Sequence, residues 1–201
     1  MSSFSILEQL SNPFVNSSQT FNFYPSLGHR KVVQRIVRGL ESMCGLVLLT
    51  GEIGIGKTTL CRHIKNHFKQ SYVFAEQGNP FLTPAEQLYL FCREFDASIP
   101  AGAGPRELMD ALVTRLFELN KMGRKTVIII DESHLLTKAH FGQVLVLSNL
   151  RYQADPLVQI VLVGQLEILD RLREDGVEAV NQRIGVRCEL SPLSLEDTGS
   201  Y

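Results

Sequence analysis

Leu46-Val47-Leu48-Leu49-Thr50-Gly51-Glu52-Ile53-Gly54-Ile55-Gly56-Lys57-Thr58-Thr59 is the stretch on which the reading of this chain turns. Its first four residues form an uninterrupted apolar run, the pattern of a strand buried on both faces. Residues 51–58 then match G-x-x-x-x-G-K-[ST], the P-loop or Walker A motif. Lys57 to Lys69 reads as a helix, so the motif has the strand before it and the helix after it that its chemistry needs. Glycines let the backbone curl until successive N–H groups point at phosphate oxygens, at the positive end of the following helix. The expected contacts to a nucleotide triphosphate tail are therefore Gly51, Glu52, Ile53, Gly54, Ile55, Gly56, Lys57, Thr58 and Thr59. Lys57 is the mobile charge for the β- and γ-phosphates, and the Thr58 hydroxyl is a ligand for Mg²⁺.

Working outward, Thr126-Val127-Ile128-Ile129-Ile130 is an almost purely β-branched run and the strongest strand in the sequence. Asp131-Glu132 ends it, a Walker B pattern. The aspartate is expected to hold Mg²⁺, directly or through a water, and the glutamate to accept a proton from the attacking water. Standing alone, two acids at a strand end have a solvated turn as the lesser alternative; the P-loop upstream favours the catalytic reading further. A carboxylate in the base position favours hydrolysis over transfer to another substrate. Gln165, after Val163-Gly164, either senses the γ-phosphate and orients the water or satisfies backbone groups of its own loop. Arg183 and Arg187, before and within the last strand, are candidates for an arginine finger acting on a neighbouring subunit's nucleotide, with surface salt bridges as the alternative. His134 touches either the catalytic water or the backbone at a helix start. His63 and His67 are spaced i,i+4, but no acidic partner completes a metal motif. Phe14, Phe21, Phe23 and Tyr24 read either as residues packed near an adenine or, the favoured reading, as staples holding an N-terminal arm to the core.

Strands and helices alternate along the rest of the chain. Val32, Val33, Ile36, Val37 and Leu40 recur at helical spacing between cations over 28–40. Further strands are expected at 72–75, 159–163 and 186–190. Thr83-Pro84-Ala85-Glu86 is a helix start with a capping box, and Pro105 opens a helix through Met122. The remaining helices are expected at 139–152, 166–173 and 177–184. Strands apolar on both sides and separated by helices mean an α/β fold, a parallel sheet covered on both faces. The 20 Lys+Arg against 21 Asp+Glu, a net charge of −1, exclude a generally cationic coat for nucleic acid, and 44% hydrophobic residues exclude disorder. Four cysteines without a C-x-x-C pair read as free buried thiols in a reducing compartment. No apolar run is long enough to span a membrane.

Taken together, Ser26-Leu27-Gly28-His29-Arg30, Gly45 to Glu52, Gly56 to Arg62, Asp131-Glu132, Val161-Leu162-Val163-Gly164-Gln165, Gln182-Arg183-Ile184 and Leu190-Ser191-Pro192-Leu193-Ser194 resemble the general secretion pathway protein A (ExeA-like) ATPases. These are AAA+ proteins serving type II secretion and MSHA-type pilus biogenesis. The resemblance runs from about residue 12 to 201. It implies a five-stranded AAA+ core with strand order 5-1-4-3-2 and ATP bound between subunits of a homo-oligomer. It also implies Gln165 as sensor and Arg183 as the trans-acting arginine. This chain departs from the family at Leu166, where proline is usual, and at His134, where glutamine is common.

The expected organisation is an arm at 1–27, the ATPase core at 28–195 and the start of a C-terminal helical lid at 196–201, the lid being absent or truncated. The expected function is Mg²⁺-dependent ATP hydrolysis driving assembly or remodelling of a secretion or pilus apparatus. The expected site residues are Glu132, Lys57, Gln165 and Arg183 for catalysis and Thr58 and Asp131 for the metal. Secretion or pilus assembly proteins are the expected partners. The expected location is the cytoplasm, or the cytoplasmic part of an inner-membrane protein. A DNA-binding ATPase of the transposition-helper type is the alternative, with Arg30-Lys31-Arg35-Arg38 as its only basic cluster; a small-molecule kinase has no visible acceptor pocket.

Overall fold

The structure, a computed structural model, describes residues 27–192. Apart from Leu27 the expected arm lies outside these residues, as do the four aromatic staples and the expected lid.

Helix α1 (Leu27–Glu41) turns Val32, Val33, Ile36, Val37 and Leu40 inward and leaves Lys31, Arg35 and Arg38 exposed. The chain then enters strand β1 (Leu46–Gly51) and, through the P-loop, helix α2 (Lys57–Phe68). Strand β2 (Tyr72–Gln77) leads to α3 (Pro84–Glu94) and α4 (Pro105–Lys121). Strand β3 (Lys125–Ile130) is followed by a 3₁₀ turn (Ser133–Leu135) and α5 (Lys138–Ser148). Strand β4 (Gln159–Gly164), the short helices α6 (Ile168–Arg171) and α7 (Glu178–Arg183), and strand β5 (Ile184–Leu190) complete the fold.

All five strands pair in parallel, in the order β5-β1-β4-β3-β2. Counting only the strands of this sheet, that is the expected 5-1-4-3-2. Side-chain alternation along a strand distributes each strand between two cores. Leu46, Leu48, Ile128, Ile130, Ile160 and Leu162 face α3, α4 and α5; Val47, Leu49, Val127, Ile129, Val161 and Val163 face α1 and α2. Full burial of each such side chain contributes about 1.5–3 kcal/mol, and the sheet is the layer that both cores share.

Three expected boundaries are corrected. The helix expected at 139–152 ends at Ser148, and Arg151–Tyr152 pairs antiparallel with Asp155–Pro156. The cause is non-local: Tyr152 packs edge-on against Phe117 of α4, ring centroids 4.9 Å apart, and Gln153 takes a left-handed turn conformation. The helices expected at 166–173 and 177–184 shrink to four and six residues, with Gly176 in the left-handed region between them. Ile184 belongs to β5, its ladder to Leu46 overriding the helical pattern.

All four cysteines are free, with Cys44 half-buried and the others buried. Burial pushes every one of these thiols above its usual value, Cys188 to about 11, so none is poised as a nucleophile.

The capping box of α3 is present as read. The Glu86 N–H donates to Thr83 Oγ1 at 3.3 Å, and the Thr83 N–H donates to Glu86 Oε2 at 2.7 Å. Thr83→Ala is expected to lower stability in urea unfolding by about 1 kcal/mol, and Thr83→Ser to retain it. The backbone and hydroxyl of Thr83 hold the Glu86 carboxyl below its ordinary value. The ionic half of the box is therefore present above the usual carboxylate range and fades as pH falls through the lowered folded value. The gap between parent and Thr83→Ala narrows accordingly in acid.

Candidate functional site

Parallel strands deliver their carboxyl ends to one edge of the sheet, and three of them, β1, β3 and β4, carry candidate residues there. At the end of β1 the loop turns on Gly54 (φ 77°) and Gly56 (φ 93°), both in the left-handed region that favours glycine. Gly51 is required for space: a Cβ there would lie 2.4 Å from Ile55 Cδ1 and 2.6 Å from the Leu190 carbonyl oxygen. Gly56 is the N-cap of α2 and offers no side-chain acceptor to the helix's first N–H groups. Those donors and the helix dipole suit an anion. Lys57 is buried, its ammonium donating to the carbonyls of Gly51 at 2.9 Å and Glu52 at 2.7 Å, so it lies folded along the loop it serves.

Asp131 follows β3, two strands from β1, and bridges the gap. Its Oδ2 accepts from the Thr58 hydroxyl at 2.6 Å, and its Oδ1 accepts the N–H of Glu132 at 2.9 Å. Hydroxyl and carboxylate in contact are the hard-oxygen donor set that Mg²⁺ takes, so these two residues fit the ion expected between them. Glu132 adopts φ 51°, ψ 35°, a left-handed conformation costing a non-glycine residue roughly 1–2 kcal/mol. Its side chain is 42% exposed, and Oε2 lies 3.5 Å from His134 Nδ1.

Strand β4, between β1 and β3, ends in Gly164. A Cβ there would press on the His134 backbone nitrogen at 3.2 Å, so its absence lets the 3₁₀ turn close over the strand end. The N–H of Gln165 donates to His134 Nδ1 at 3.4 Å. Gln165 itself is half-buried, and its side-chain amide makes no hydrogen bond among the described residues. Lys57, Thr58, Asp131, Glu132 and Gln165 thus share one edge. Arg183 does not join them. It is exposed immediately before Ile184, which pairs with Leu46 at the opposite, amino edge, roughly 16 Å along the strand from Gly51. Arg187 is exposed and donates to the Asn181 carbonyl at 2.9 Å and to its Oδ1 at 2.7 Å.

Sequence reasoning missed His29. It is buried, and its Nε2 lies 3.9 Å from where a Gly56 Cβ would stand, so α1 lays an imidazole against the P-loop. The signal was available: position 29 falls on the same helical face as Val32, Val33, Ile36 and Val37. The His63 and His67 rings stack at 6.4 Å, and burial followed by the charge of His67 pushes His63 below its usual value. Among the described residues no group of three or more His, Cys, Asp or Glu side chains is arranged to hold a metal.

Residues 40–172 match the AAA domain family model. The chain belongs to that family of P-loop ATPases. Over 189 residues, 94% of its length, it is 33% identical to General secretion pathway protein A of Aeromonas hydrophila, spanning 35% of that relative. Its fold is similar to the ORC2 protein of Aeropyrum pernix in its ADPNP–ADP complexes, with TM-score 0.63, 20% identity, and coverage of 86% of this chain and 48% of that one. It is also similar to Cdc6p of Pyrobaculum aerophilum, with TM-score 0.64, 16% identity, and coverage of 94% and 50%. The chain therefore spans about a third of the curated relative and about half of these solved ones.

Gly51→Ala tests the geometry of the loop. It is expected to lose about 1–3 kcal/mol in urea unfolding, the usual cost of overpacking. Adding Ile55→Ala removes only one of the two clashes, so the Leu190 carbonyl contact keeps the double variant from recovering. Parental stability for Gly51→Ala contradicts the close approach.

Proposed function

We propose that this chain binds ATP with Mg²⁺ and hydrolyses it to ADP and phosphate, and that the cycle drives assembly or remodelling of a type II secretion or pilus apparatus. The contact between Thr58 Oγ1 and Asp131 Oδ2 carries the reading, because it couples the P-loop helix to the acid-ended strand. Phosphate oxygens lie on the amides of residues 51–59, Lys57 neutralises charge on the β- and γ-phosphates, and Thr58 and Asp131 hold the ion that screens it. Glu132 takes a proton from water as the water oxygen bonds to the γ-phosphorus. The bond from that phosphorus to the bridging oxygen breaks, and its electrons leave with ADP. Gln165 aligns the water. Arg183, remote from its own P-loop, serves the nucleotide of an adjacent copy in a homo-oligomer. The secretion role rests on likeness to General secretion pathway protein A. ATP supply sets the chain on the cytoplasmic side, free or as part of an inner-membrane protein. Among the described residues no helix is long and apolar enough to cross a membrane.

A second reading, DNA binding, has one observation in its favour: Lys31, Arg35 and Arg38 form an exposed stripe at i, i+4 and i+7 on α1. It requires affinity that falls steeply with salt; a flat salt titration with duplex DNA removes it.

Lys57→Ala is expected to abolish ATP binding in calorimetry. Glu132→Gln is expected to bind ATP yet turn it over at least about 10²-fold more slowly, the scale for removing a general base. Equal turnover by Glu132→Gln and the parent removes Glu132 from that role. Arg183→Ala is expected to impair turnover only under oligomerising conditions. Mixing it with Lys57→Ala then restores part of the rate, and no recovery in such mixtures argues against action in trans.

A further inference from the structure

We propose that His134 is a positioning residue that joins the orientation of Glu132 to the end of strand β4 through a single ring nitrogen. The proposal rests on Glu132 being the base, as above.

Nδ1 of His134 lies 3.4 Å from the Gln165 backbone nitrogen and 3.5 Å from Glu132 Oε2. Its side chain is only 9% exposed, so water competes poorly for that nitrogen. A ring nitrogen carries either a lone pair or a proton. With the lone pair it accepts the Gln165 N–H and offers nothing to the carboxylate. With the proton it donates to Glu132 and leaves the amide without an acceptor. Holding Glu132 and freeing the Gln165 amide at the end of β4 are therefore one event.

The ring's anchor is fixed by backbone contacts that involve neither the Glu132 carboxylate nor the Gln165 amide. Ser133 Oγ donates to the Ile130 carbonyl at 2.6 Å, and the Leu135 N–H donates to the Glu132 carbonyl at 2.9 Å. Arg171 of α6 donates to the Leu136 carbonyl at 2.6 Å. Pinned at its backbone, the imidazole chooses between partners by exchanging a proton site rather than by moving.

A histidine with a purely structural role looks different in this same molecule. The ring of His140 is buried, its Nδ1 lying 2.7 Å from Thr137 Oγ1 and accepting the Thr137 N–H at 3.3 Å, and its Nε2 lying 2.8 Å from the Leu82 carbonyl. Both groups on Nδ1 belong to one residue, Thr137, and none of these contacts reaches the candidate catalytic residues. At His134 the two groups near Nδ1 come from different elements, Gln165 at the end of β4 and Glu132 after β3. Both are long, an N–H···N contact at 3.4 Å and an approach of 3.5 Å to the carboxylate.

The test compares His134→Leu, which keeps comparable volume without polarity, and His134→Asn, whose amide sets an acceptor and a donor near the Nδ1 position. In steady-state ATP hydrolysis the leucine variant is expected to lose about 10-fold in kcat with KM and affinity for a nonhydrolysable ATP analogue unchanged, the signature of an interaction made only in the transition state. The asparagine variant is expected to stay within about 3-fold of the parent. In a Glu132→Gln background His134→Leu is expected to add no further loss, since its effect passes through Glu132. Parental kcat in the leucine variant overturns the proposal, as does asparagine as slow as leucine or analogue affinity falling in step with kcat. Should leucine not be accommodated, as judged by thermal unfolding, His134→Ala serves the same comparison. A parent chain that does not hydrolyse ATP refutes the reading of the site and the role of His134 with it. A hydrolysing parent with leucine and asparagine variants alike refutes the role of His134 alone.

Discussion

Strand β1 has no face to water. All six of its residues are buried, and it is flanked in the sheet by β4 and β5. Its backbone donors and acceptors must be satisfied in the ladders, so polar chemistry emerges only where the strand stops. Because every strand of the sheet runs the same way, the polar ends of β1, β3 and β4 all arrive at the same edge. The clustering of the P-loop, the two carboxylates and Gln165 follows from parallel pairing in a water-free sheet, before any side chain is chosen.

That edge concentrates features tolerated nowhere in the core. Glu132 holds a left-handed backbone, fixed by the Asp131 carboxylate in front and the Leu135 amide behind. Lys57 is a buried cation supported by two carbonyls. Nearby, a chain of amides, Gln77 and Gln87 buried and Gln143 half-buried, braces the loop after β2. Gln143 donates to Gln87 at 2.7 Å, Gln87 donates to Gln77, and Gln77 donates to the Asn79 carbonyl at 2.9 Å. Each polar group that leaves solvent there has a partner, which limits the cost of burying it. Phe81, 85% exposed, is thus carried by a loop whose base is rigid although its tip is not packed.

The sheet and the nucleotide motif were legible in the sequence because their signals are local. Glycine spacing at 51, 54 and 56, the β-branched run 126–130 and the Thr83–Glu86 box each state their structure within a few residues. What escaped depends on contacts distant in the chain. Nothing near Ser148 announces that Tyr152 will be drawn to Phe117, more than thirty positions earlier. His134 was recognisable as a residue near the acids, but its meeting with Gln165 depends on strand order, as does the remoteness of Arg183 from its own P-loop. His29 lay between the two cases, because its helical phase marked it as buried while only the fold reveals that Gly56 is its neighbour.

Strand β4 separates the strand that ends in the phosphate loop from the strand that ends in the acids. Two inter-strand intervals, about 9–10 Å, act as a ruler cut from hydrogen-bonded backbone. Such a ruler neither stretches nor shortens as a reaction proceeds. What that spacing leaves free is the aim of the side chains at the rim.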